Sequence, residues 1–157
     1  MAWIDRRVYD LAKHWLAIFN LLVGIYILLP VLAPVLMSRG ASSLGRAIYT
    51  IYRPACHQLP ERSFFLLGPQ ATYSLDELWA LGVVSKEDNI FSRQRILGTE
   101  DVGFKIALCQ RDMALYGALF VGGLLFGLVR KRLRPLKLWI FGLLLLPMAV
   151  DGGTQLL

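Results

Sequence analysis

Charged residues vanish from three stretches of the chain: residues 15–37, 113–129 and 138–150 carry none. A helix rising about 1.5 Å per residue needs about 20 residues to cross a hydrocarbon core about 30 Å thick. The first stretch is long enough alone. The second qualifies with its flanks, and the third if Asp151 and the residues after it enter the membrane. The pattern predicts transmembrane spans over 15–37, 107–130 and 138–157. Ahead of the first, Trp3, Ile4, Val8, Leu11, Ala12 and Trp15 recur near helical spacing. Residues 1–14 therefore read as an amphipathic interfacial helix running into that span. Pro30 and Pro34 should kink it or end it early, because each removes a helix hydrogen bond.

Residues 38–112 alternate between short apolar clusters and polar, soluble-like sequence. Ser43 is a candidate cap for a short helix through Ile51 whose greasy side is Ile48, Tyr49, Ile51 and Tyr52, with Pro54 as the stop. Residues 54–67 form an interfacial motif ending in Phe64, Phe65, Leu66 and Leu67. Farther on, Ser74-Leu75-Asp76-Glu77-Leu78 looks like a capped helix, and Lys86-Glu87-Asp88-Asn89 like a solvated turn. In the second span Gly123 and Gly127 form a GxxxG pair, which lets a neighbouring helix approach closely. The expected fold is a small all-α integral membrane helix bundle with a long, partly structured external loop.

Composition agrees: 56% of residues are hydrophobic and 18% charged, and mean hydropathy is +0.53. Asp5 and Asp10 among Arg6, Arg7 and Lys13, ahead of an over-long apolar run, do not make a cleavable signal. The net charge of +6 does not point to nucleic acid, because five of the 17 basic residues (Arg130, Lys131, Arg132, Arg134 and Lys137) crowd one short turn without an acid. Short basic loops stay cytoplasmic. With Arg6, Arg7 and Lys13 this predicts a multi-pass protein of the cell membrane, N-terminus cytoplasmic and loop 38–112 external. That loop holds nine basic and eight acidic residues, a near balance.

The candidate chemistry lies in Cys56-His57-Gln58-Leu59-Pro60-Glu61-Arg62-Ser63, in Cys109-Gln110-Arg111-Asp112, and in Asp151-Gly152-Gly153-Thr154-Gln155. Unpaired polar groups near hydrocarbon cost several kcal/mol each, so such groups must find partners. Asp151 lies fourteen residues past Lys137, about 21 Å up a helix from the cytoplasmic side. The predicted topology thus gathers Cys56, His57, Gln58, Glu61, Arg62, Ser63, Cys109, Arg111, Asp112, Asp151 and Gln155 at one membrane level. Asp151 should find Arg62 or Arg111, with Glu61 in the same network, since a lone acid in a span is costly. His14 reads as an interfacial residue and His57 as a packed histidine bonded to a backbone carbonyl.

Three readings stay open for the thiols. An external Cys56–Cys109 disulfide would tie the motif loop to the second span. A metal site could draw on Cys56, His57, Cys109, Asp112 or Asp151, although the spacings match no standard zinc motif. Buried unpaired thiols are the third.

These three motifs, in this order, resemble a family of predicted prokaryotic membrane proteins of unknown function, over roughly residues 45–157. In that family the second motif reads Cys-x-Arg-Cys, so Asp112 stands where the resemblance implies a second cysteine. The family continues past Asp-Gly-x-Thr-Gln into a further hydrophobic helix, which implies a fourth span beyond Leu157. No activity and no cofactor follow from the resemblance. The leading expectation is an accessory or structural subunit of a larger membrane complex, with the lipid bilayer and other membrane subunits as partners. One alternative is a membrane enzyme or binding protein using the Cys/His/Arg/Asp cluster. The other is a transporter or proton-relay component built on Asp151.

Overall fold

A computed structural model of the chain describes residues 2–154, without the side chains of residues 2–5, 151, 152 and 154. Expectations resting on the Asp151 and Thr154 side chains and on Gln155 lie outside the described residues. The chain divides into two compact units, Met1–Leu125 and Phe126–Leu157.

In the first unit α1 runs unbroken over Ala2–Ser38, straight through the expected boundary at residue 14. Among the described residues it is one of two helices long and apolar enough to cross a membrane, the other being α5, Gln110–Val129. Leu16, Asn20, Val23, Pro30, Ala33 and Pro34 form its buried stripe, while Leu21, Leu22, Ile25, Leu28, Leu29 and Leu32 stay exposed. An apolar outer face with no protein cover suits lipid. The prolines do not end the helix. Pro30 cannot donate to the carbonyl one turn back, that of Tyr26, and the Tyr52 hydroxyl donates to that oxygen instead at 2.8 Å.

The first turns of α5 lie antiparallel to α1. The Tyr26 and Tyr116 rings meet edge-on at 4.7 Å, Phe120 covers Gly24, and Asn20 lies against Gly123. A Cβ on Gly123 would fall 2.0 Å from the Asn20 Oδ1, so the first glycine of the GxxxG pair serves packing inside the chain.

The stretch between these helices is where the all-α expectation needs correction. Helix α2 (Ser42–Tyr52) leads through a short 3-10 turn, Pro60–Arg62, into β1 (Ser63–Leu66). Helices α3 (Leu75–Ala80) and α4 (Ile90–Arg95) follow, then β2 (Gly98–Thr99) and β3 (Gly103–Cys109). The strands form an antiparallel sheet in the order β1-β3-β2, pairing Ser63 with Cys109, Phe65 with Lys105 and Gly98 with Phe104. Strand β3 is central and largely buried on both faces, so its apolar run merges into the helix that follows. Hydropathy alone cannot separate the two. Residues 107–109, expected within the second span, belong to the strand, and α5 starts at Gln110.

Two small cores hold this head together. Ala33 of α1 packs with Tyr49, Tyr52, Cys56, Ala107 and Leu108. Phe65, Tyr73, Leu78, Val84 and Val102 form the other, where the Phe65 and Tyr73 rings meet edge-on at 5.0 Å. Helix α2 buries Gly45, Tyr49 and Tyr52 but leaves Ile51 exposed, and it begins at Ser42 without a side-chain cap. The cap expected on α3 forms, and it is a capping box: Ser74 and Glu77 accept each other's backbone N–H.

In the second unit, described by itself, α6 spans Leu138–Thr154. Its 17 residues rise about 25 Å, and residues 155–157 of the stretch expected over 138–157 lie outside the described residues.

Candidate functional site

Strand β3 ends at Cys109 and α5 begins at the next residue. With no linker, the last side chain of the sheet is delivered to the N-terminus of a membrane-length helix. Asp112 lies in the first turn of that helix. Cys56 arrives from the other side, on the turn after α2, where its N–H donates to the Tyr52 carbonyl at 3.2 Å. The Sγ atoms of Cys56 and Cys109 and a carboxylate oxygen of Asp112 all lie within 4.8 Å of one another. Cys56 is buried, and Cys109 and Asp112 are half-buried.

Both thiols are free, so the Cys56–Cys109 disulfide is not formed. Their interaction is a hydrogen bond instead. Cys109 donates to the Cys56 sulfur, which together with the N–H groups of Gln58 and Cys109 outweighs burial and nearby Asp112 and draws the Cys56 thiol down to about 7. The Gln58 N–H approaches that sulfur at 3.4 Å. The same bond, with burial, pushes Cys109 well above the usual thiol range. Of the two thiols Cys56 is therefore the one biased toward the thiolate, which the positive end of the α5 dipole also favours.

The other residues of the first motif build the loop that presents Cys56. Gln58 turns the chain with a left-handed φ of 48°. Its buried amide donates from Nε2 to the carbonyls of Tyr49 at 2.9 Å and Ala107 at 3.0 Å, stapling α2 to β3. Pro60 opens the 3-10 turn. Ser63 is fully buried, donates to the Leu59 carbonyl at 2.8 Å, and accepts from Gln110 Nε2 at 3.3 Å through its own carbonyl. Glu61 pairs with Arg93 at 2.7 Å, not with Arg62 or Arg111. His57, Arg62 and Arg111 are exposed, and His57 is not among the clustered ligand atoms. Of the eleven expected site residues the structure thus brings Cys56, Cys109 and Asp112 together, with Gln58 and Ser63 as their support. Asp151 and Gln155 lie outside the described side chains.

Lys105 went unnoticed in the sequence, although it is the one charge inside the apolar run Phe104–Leu108. It is fully buried. Its ammonium donates to the carbonyl of Gln58 and, at 3.0 Å, to that of Gln94, while the Tyr49 hydroxyl donates to the Lys105 carbonyl. Burial drives the Lys105 amine down to about 7, against the attraction of Cys56 and Glu61, with Arg53 adding repulsion. Burial also raises the Tyr49 hydroxyl above its ordinary value. Lys105 and Gln58 lock the thiol-bearing loop onto the central strand.

The family model described as "Predicted membrane protein (DUF2085)" matches residues 101–157, from the turn before β3 through α6. The chain is 28% identical over 113 residues to "Uncharacterized protein MJ1492" of Methanocaldococcus jannaschii, which covers 70% of this chain and 49% of that protein. The chain therefore spans about half the length of the curated relative it matches. No solved structure matches it significantly. The family match and the two membrane-length helices agree on a predicted membrane protein that would sit in the lipid bilayer, and they name no activity.

Proposed function

We propose that this chain is a membrane-anchored binding protein whose working centre is the Cys56–Cys109–Asp112 cluster, and that the centre takes a thiophilic divalent cation such as zinc. One observation carries this reading: two sulfurs and a carboxylate oxygen, delivered by separate elements, lie within 4.8 Å of one another. Zinc accepts thiolate and carboxylate at about 2.0–2.3 Å in tetrahedral sets, with ligand atoms under about 4 Å apart, so a contraction of about an ångström suffices. Three protein ligands leave a fourth position for water or a bound group. The accessory-subunit reading needs no such centre, and the relay reading rests on Asp151, whose side chain lies outside the described residues. The orientation that fits best keeps the basic turn at residues 130–137 cytoplasmic and the head external.

Cobalt(II) titration of the detergent-purified, reduced protein tests this. One equivalent should produce a thiolate-to-cobalt charge-transfer band, and zinc should displace it. Cys56→Ser and Cys109→Ser should each weaken binding about tenfold or more. Absence of the band in the folded protein would overturn the reading. A mass two hydrogens low, in protein purified without reductant, would identify the disulfide in its place.

A further inference from the structure

We propose a second site, independent of the thiol centre: a cleft in the head that binds a phosphate group through Arg46, Arg53 and Arg95. The cleft encloses about 520 Å³ between α2, the end of α4 and the β2–β3 hairpin, a volume in the range of ligand pockets. Arg46 and Thr50 of α2 and its C-cap residue Arg53 reach it from one side, at i, i+4 and i+7. Arg95 reaches it from the last turn of α4. Met37 and Phe104 supply apolar wall, and no carboxylate lines it.

Among the described residues these arginines have no acidic partner, in a segment whose nine basic and eight acidic residues nearly balance. Arg93, two residues from Arg95, is matched by Glu61 at 2.7 Å. Among the described residues no carboxylate pairs with Arg46, Arg53 or Arg95. Three guanidinium groups around one concavity repel each other and gain most from a ligand of high negative charge density with several acceptor oxygens. Arginine meets phosphate in that geometry, by paired N–H···O bonds. The position fits as well. Met37 is the penultimate residue of α1, so the cleft opens where the membrane-length helix ends, the depth at which lipid phosphates lie. A phospholipid headgroup and a soluble phosphate ester share this chemistry.

The full chain in detergent micelles separates the two sources. Native mass spectrometry with equal amounts of phosphatidylglycerol or phosphatidylcholine reads the lipid, and thermal shift with sodium phosphate reads the free anion. A preference for phosphatidylglycerol that falls about tenfold or more in the Arg46→Gln/Arg53→Gln/Arg95→Gln variant supports a lipid ligand. A phosphate-induced stabilisation lost in that variant, without lipid preference, supports a soluble one. Arg130→Gln/Arg132→Gln/Arg134→Gln, a control for general attraction to a basic protein, should keep the binding, and so should Cys56→Ser. If the triple variant fails to fold, the single Arg95→Gln variant should still weaken binding about threefold or more. Neither preference nor stabilisation in the parent chain, or either one unchanged in the folded triple variant, would overturn the site.

Discussion

The paired helices α1 and α5 and the head between them are both rich in apolar residues, yet they are held together in different ways. The helices leave leucines on their outer face and meet through small or flat groups: Asn20 on Gly123, Phe120 on Gly24, Tyr26 on Tyr116. In lipid, apolar surface gives no drive to associate, so close fit must do it. The head works the opposite way. It buries Lys105, Gln58 and Ser63 completely or nearly so, and most of their polar atoms are answered by specific carbonyls. A buried polar group with a fixed partner defines position more sharply than another leucine would, because leaving it unpaired costs about 1–3 kcal/mol. The difference teaches where precision is kept: in the head, which holds the thiols.

Two glycines, one in each region, break or uphold this comparison with the largest effect. Gly103 opens β3 with φ +82°, and a Cβ there would lie 2.5 Å from the Leu66 carbonyl and 2.7 Å from the Gly68 nitrogen. Backbone cannot step aside, so Gly103→Ala should destabilise the head by about 3 kcal/mol or more. At Gly123 the colliding atom is the tip of the Asn20 side chain, which can rotate, and the helical backbone suits alanine. Gly123→Ala should cost about 1 kcal/mol or less. Hydrogen exchange in micelles reads both regions separately. Equal losses at the two sites would mean that the head is no more tightly specified than the helix pair.

This contrast also explains what could be read in advance. The two long helices were legible because uncharged length is a strong signal: 15–37 falls inside α1, and 113–129 inside α5. The Ser74–Glu77 capping box was legible because its chemistry is local. The sheet was hidden because β3 is apolar on both faces and β2 is only two residues long. Partners across the fold were hidden too. Glu61 had Arg62 beside it in sequence, yet its partner is Arg93, which α4 delivers. Cys56 and Cys109 were legible as a pair, whereas the work of Gln58 as a staple depends on the carbonyls of Tyr49 and Ala107, which no sequence pattern announces.

Buried Lys105 makes the stability of the head depend on pH. The unfolded chain keeps this proton up to the ordinary value of 10.5, whereas the folded chain releases it near 7. Between those values the unfolded state binds more protons, so stability rises as pH rises from about 7. One such proton contributes at most about 1.4 kcal/mol per pH unit. Lys105→Met should start less stable, because the carbonyls of Gln58 and Gln94 lose their donor, but its stability should climb less steeply over this range. Chemical denaturation at pH 7, 8 and 9 checks the difference between the two slopes. Parallel curves would mean that Lys105 keeps its proton in the folded head.

A small coupling is expected where the two regions join. Pro30 deprives the Tyr26 carbonyl of its helix donor, and the Tyr52 hydroxyl fills the vacancy at 2.8 Å, with the Tyr26 and Tyr52 rings 5.1 Å apart. Tyr52→Phe keeps the ring and removes only the donor, so it should cost about 1–2 kcal/mol. Pro30→Ala restores a backbone N–H one turn below Tyr26. If the hydroxyl's task is to replace that missing N–H, Tyr52→Phe should cost about 1 kcal/mol less in the Pro30→Ala background, a coupling that a double-mutant cycle measures directly. Additive losses would mean that Tyr52 holds the head to α1 by packing alone. Non-additivity would place a helix defect and its repair in different elements: the proline belongs to the membrane-length helix, and its hydrogen-bond partner to the head.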